Sequence, residues 1–158
     1  MLKIQKIIIA IAFIFLAGVR VSRANLISNP GFEVSGTNGE SYAEGWIETN
    51  YGARTDVVSR SGNWSIFISD EAESAGYPGF IQTIDFGQDM SGQEFTAGVY
   101  AMVSSNDPLV GGQHARLVMK FLDSNGAEIN KHEVQKIVSP VSQLDSWFYG
   151  EVNAIAPA

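Results

Sequence analysis

Asn25-Leu26-Ile27-Ser28-Asn29-Pro30-Gly31-Phe32-Glu33 packs a short strand, a turn and a core plug into one run of chain. Leu26 and Ile27 are extended-chain residues. Asn29-Pro30-Gly31 then forces a turn, because proline fixes φ and glycine supplies angles that other residues avoid. Phe32 is placed to enter a core, while its neighbour Glu33 points the other way, as alternate residues of extended chain do.

Upstream of this run the composition changes. Lys3 and Lys6 precede an almost unbroken apolar stretch from Ile7 to Val19, and Ser22-Arg23-Ala24 offers small residues where a signal peptidase cuts. The apolar run is shorter than the ~20 residues that a membrane-spanning helix needs. Residues 1–24 therefore read as a signal peptide and 25–158 as one domain. The leader holds four of the 10 basic residues and none of the 17 acidic ones, so the mature chain carries 6 against 17, a net charge of −11. That charge repels phosphate backbones and excludes nucleic acid as the expected partner. The chain has no cysteine, which excludes thiolate zinc sites and cysteine nucleophiles and leaves the exported fold to rest on packing.

Downstream, the pattern is β throughout. Gly36 to Glu44 has loop composition, and Gly45-Trp46-Ile47 ends it. Arg54 to Arg60 and Trp64 to Ser69 read as two strands around Ser61-Gly62-Asn63. Asp70 to Pro78 reads as an acidic loop, its carboxylates solvated or holding a cation. Phe80 to Phe86 follows as a strand. Gln93 to Ser104 carries Phe95, Ala97, Val99, Ala101 and Val103 on one face, with Thr96, Gly98, Tyr100 and Met102 on the other. Gln113 to Asp123 sets Leu117, Met119 and Phe121 opposite Arg116, Val118 and Lys120. Asp123-Ser124-Asn125-Gly126 is a hairpin signal, Ala127 to Val138 returns, and Ser146 to Ile155 is a last strand with Trp147 and Tyr149. Helical periodicity is sustained nowhere, and this recurrence of strands and turns implies an antiparallel sandwich.

The opening run closely resembles the N-L-(L/I)-x-N-P-G-F-E start of carbohydrate-binding modules of the family 4/9 type. The Gly-Trp at Gly45-Trp46, the Ser61 hairpin and Gln82 within Phe80 to Phe86 agree with that likeness, which covers Asn25 to Ala158. The resemblance implies an all-β, antiparallel jelly-roll sandwich of the galactose-binding-like kind. It also implies non-catalytic polysaccharide binding by an exported bacterial protein, secreted, periplasmic or at the cell surface. The resembled modules continue into one or two further strands beyond the segment matching Trp147 to Ala158, so an open edge is expected here. They commonly hold a structural calcium through an opening carboxylate, which Glu33 matches. Its partner acid lies in those further strands, so a half-built calcium site is expected, with Glu33 as a backbone cap the alternative.

Sugar binding needs flat aromatic faces against C–H surfaces and side chains that bond hydroxyls. The residues expected to supply them are Trp46, Gln82, Tyr100, Arg116 and Lys120, with Tyr100, Arg116 and Lys120 on one shared polar face of neighbouring strands. Trp46 and Gln82 have a packing reading as well, Gln82 as a core hydrogen-bonder. His114 and His132 are too far apart to suggest a catalytic pair, and the chain carries no phosphate loop and no G-x-S-x-G. Binding without catalysis is the expectation, and a structural or adhesive surface domain without a sugar site is the alternative.

Overall fold

The computed structural model describes residues 4–9, 25–49, 52–69 and 78–158. The rest of the expected signal peptide and the greater part of the acidic loop (70–77) lie outside the described residues. All eleven elements among the described residues are strands: β1 Ile4–Ile9, β2 Ser35–Gly36, β3 Gly39–Ala43, β4 Ile47–Thr49, β5 Gly52–Thr55, β6 Ser65–Ile68, β7 Gly79–Asp85, β8 Glu94–Ala101, β9 Ala115–Asp123, β10 Glu128–Val138 and β11 Phe148–Ile155. Every described pairing is antiparallel. The chain divides into two compact units, one of Met1–Arg20 with Thr83–Ala158 and one of Val21–Gln82.

The larger unit is built from two facing layers. β9 lies between β10 and β1, so part of the expected leader is a strand of this sheet. β8 pairs with β11 in register from Phe148↔Ala101 to Ile155↔Glu94. The inner faces are those that alternation marked: Phe95, Ala97 and Val99 from β8, with Leu117, Met119 and Phe121 from β9, all buried. The rings of Phe95 and Phe121 meet edge to face at 5.9 Å across the layers. Each such large side chain removed from water contributes ~1.5–3 kcal/mol. The β9–β10 turn closes as its Asn-Gly signal implies. Asp123 Oδ1 accepts from the amides of Asn125 and Ala127, and Gly126 takes φ 85°. In β10 the register slips between Val134 and Val138, where Lys136 has φ 55°, a bulge that turns Ile137 and Val138 into the core.

The smaller unit is organised around the opening run. Phe32 is buried against Trp46 (ring centroids 5.1 Å apart) and Phe80 (6.4 Å). The turn differs from the expectation in one respect. Its left-handed residues are Asn29 (φ 45°) and Phe32 (φ 61°), not Gly31. Asn29 tolerates this because its side chain bonds locally: Oδ1 accepts from Val34 N, and Nδ2 donates to the carbonyls of Val34 and Glu44. Those bonds clamp the base of β2 and β3, a small hairpin where loop composition suggested none. Its residues are polar because they are exposed, not because they lack pairing. The hairpin expected around Ser61-Gly62-Asn63 is wider than its turn signal: Gly52–Thr55 pairs with Ser65–Ile68, leaving residues 56–64 as the connection.

Candidate functional site

The outward face of the β8–β11 pair is where chemistry gathers. Along β11, Gly150, Val152 and Ala154 point inward, so Tyr149, Glu151, Asn153 and Ile155 are exposed. Register sets Tyr149 opposite Tyr100, Glu151 opposite Gly98, Asn153 opposite Thr96 and Ile155 opposite Glu94. The two tyrosine rings lie 4.9 Å apart, tilted by 43°, and Tyr149 is 43% exposed. A polar row continues from them. The Tyr149 hydroxyl donates to Glu151 Oε2 at 2.8 Å, Asn153 Nδ2 donates to Glu151 Oε1 at 2.9 Å, and the Thr96 hydroxyl donates to Asn153 Oδ1.

These bonds set the charge state of the row. Hydrogen bonds from Asn153 and then Tyr149 hold the Glu151 carboxyl below its ordinary range. Burial first, and then the Glu151 carboxylate, push the Tyr149 hydroxyl up to about 12. At neutral pH the row is therefore a phenol, a carboxylate, an amide and an alcohol. A carboxylate has about four lone-pair sites, so after two internal bonds Glu151 keeps acceptor capacity toward solvent. Gly98, opposite it, adds no side chain to the face.

The expected site residues are dispersed. Tyr100 belongs to this face. Arg116 and Lys120 project from β9 on the outer face of the other layer, because Leu117, Met119 and Phe121 take its inner face. There they join an ion-pair ladder with β10: Arg116–Glu133 at 3.7 Å, Lys131–Glu133 at 3.0 Å and Lys120–Glu128 at 2.7 Å. The expectation of a shared face assumed that β8 and β9 are neighbours, whereas the partner of β8 is β11.

Trp46 and Gln82 are buried in the smaller unit. The Trp46 indole Nε1–H donates to the Asn29 carbonyl at 3.1 Å. Gln82, 5% exposed, is a latch: Oε1 accepts from Ser28 N, and Nε2 donates to Ser28 O, Ser28 Oγ and Gly45 O. Of its two readings, the core hydrogen-bonder is the one seen.

Glu33 faces the Ser61-Gly62-Asn63 turn, and what the turn offers it is donors. Its carboxylate accepts from the amides of Asn63 and Trp64 at 3.1 and 3.2 Å. Calcium takes oxygen ligands, and N–H groups are the wrong pole of the peptide for it. Among the described residues no three acidic or imidazole side chains converge. Arg54, which sequence reading passed over, is buried beside this turn. It donates to the carbonyls of Phe32, Glu33 and Glu40 and lies over the Trp64 ring, 3.5 Å from its centroid.

Comparison with known proteins found no matching family model, no matching curated protein and no matching solved structure.

Proposed function

We propose that this chain is a non-catalytic, polysaccharide-binding domain of an exported bacterial protein, and that the β8–β11 face receives the glycan. The observation that supports this most is Tyr100 and Tyr149 side by side at the head of the Glu151–Asn153–Thr96 row. Pyranose C–H faces stack on aromatic rings, and hydroxyl groups need acceptors and donors a few ångströms away. This face carries both, and its acidic residues Glu94 and Glu151 favour a neutral chain over a uronate-rich one. The jelly-roll topology and the signal peptide implied by the family 4/9 resemblance belong to the same reading. The half-built calcium site that the same resemblance implies at Glu33 stays part of this reading, with weak or no calcium binding expected.

Affinity electrophoresis through gels containing soluble glucans, xylans or mannans tests the proposal. Retardation by at least one polymer is expected, lost in Tyr149→Ala and weakened at least tenfold in Glu151→Ala, while Arg116→Ala and Lys120→Ala leave it unchanged. No retardation by any of these polymers or on a glycan array would favour a structural or adhesive domain without a sugar site.

A further inference from the structure

Paired on one edge with β10, β9 carries β1 on the other. Ile7 stands opposite Phe121, Ile8 opposite Lys120 and Ile9 opposite Met119. A strand inside a sheet turns alternate N–H and C=O groups to its two neighbours. The groups of Met119–Asp123 that face away from β10 therefore have ladder partners because Ile4–Ile9 lies there. Without that segment they form a bare edge, backed by the fully buried side chains of Met119 and Phe121. Such an edge is a template for another strand. The seated segment, Ile-Gln-Lys-Ile-Ile-Ile, is rich in β-branched residues suited to strands. It also brings a lysine to a chain that is otherwise net acidic.

We infer that the edge of β9 turned away from β10 is a strand-accepting site whose occupant is an extended apolar segment with a basic residue, Ile4–Ile9 in the intact chain. Where processing severs that segment, the site is open to a strand of the same chemistry supplied in trans. The inference rests on the β1–β9 ladder and is independent of the glycan reading.

Two measurements on the full chain test it. The chain has no cysteine, so Ile8→Cys with Lys120→Cys introduces a single directly opposed pair. Opposed residues of an antiparallel ladder lie ~4.5–5.5 Å apart at Cα, within disulfide reach. Mild oxidation is expected to give an intramolecular cross-link with this pair and none with Ile8→Cys and Arg116→Cys. Failure of the first pair to close, or closure only between two copies, would overturn the assignment. Amide exchange supplies the second readout. In Ile7→Pro/Ile8→Pro, which removes a ladder donor whichever residue carries it, alternate amides of Met119–Asp123 should exchange on the order of 100-fold faster. Those bonded to β10 should stay slow. Adding a synthetic peptide spanning residues 2–11 should restore protection. Unchanged exchange in the proline variant, or no restoration by the peptide, would overturn the strand-accepting site.

Discussion

Gly150 is the position where a single methyl group interrogates the packing of the two layers. It lies on the inner face of β11, opposite Val99. A Cβ built there would sit 2.6 Å from Cγ1, 2.7 Å from Cδ1 and 3.4 Å from Cγ2 of Ile137, where ordinary contact begins at 3.4 Å. Two carbons must therefore retreat by roughly 0.7–0.8 Å in an interior packed as densely as an organic crystal. Overpacking of this kind costs ~1–3 kcal/mol, and replacing a strand glycine by alanine returns ~0.5–1 kcal/mol of backbone entropy. Gly150→Ala should thus destabilise by up to about 2.5 kcal/mol. Urea unfolding reads this directly: with a slope of ~2 kcal/mol per molar, the midpoint falls by up to ~1.2 M. The decisive comparison is a double-mutant cycle. Ile137→Ala alone costs ~2–5 kcal/mol, but it removes all three crowded carbons, so on that background Gly150→Ala should be neutral or stabilising. An equal cost on both backgrounds would refute the close approach as its cause.

Gln82→Leu should lower stability by ~2–4 kcal/mol, because Ser28 N and Gly45 O lose their partner, and should leave glycan retardation intact; lost retardation at an unchanged melting temperature would contradict the latch. The depressed Glu151 carboxyl lends stability that is fully present above its ordinary value of 4.5 and is lost as pH falls through the lower folded value. Glu151→Gln should therefore flatten the acid limb of a stability–pH curve, and an unchanged limb would remove Glu151 from the row. The raised Tyr149 has the opposite sign, its contribution being present below pH 10 and lost as pH rises through about 12. A spectrophotometric titration should accordingly show one late-ionising tyrosine that Tyr149→Phe abolishes. Millimolar calcium should shift the melting temperature by less than ~2 °C, since N–H donors face Glu33; a large rise would show that oxygen ligands reach it after all.

Alternation made the two layers of the larger unit legible. Phe95-x-Ala97-x-Val99 and Leu117-x-Met119-x-Phe121 mark one inward face each, and a period of two does not depend on which strand lies alongside. The site depends on that neighbour. Tyr149, Glu151 and Asn153 alternate visibly on the last strand, yet only the register with β8 sets Tyr149 against Tyr100 and Asn153 against Thr96. Pairing partners are long-range facts that local periodicity does not carry. Arg54 was hidden for a related reason. Its three acceptors are backbone carbonyls at Phe32, Glu33 and Glu40, and a carbonyl has no sequence signature. The β2–β3 hairpin escapes local reading because its polarity reports only exposure and says nothing of pairing.

The connection over residues 56–64 takes its shape from elsewhere in the chain. Its Asn63 and Trp64 amides close on a carboxylate 30 and 31 residues upstream, and a Cβ at Gly62 would fall 2.1 Å from the same Glu33 oxygen. Ser59 and Ser65 add only short-range ties, to Gly62 O and Val58 O. Grafted between two strands of another scaffold, these residues would lose the anion that gathers their amides and would not keep this conformation. Conversely, a recipient given both the loop and the Asn29–Glu33 turn would inherit its geometry, because template and cast travel together.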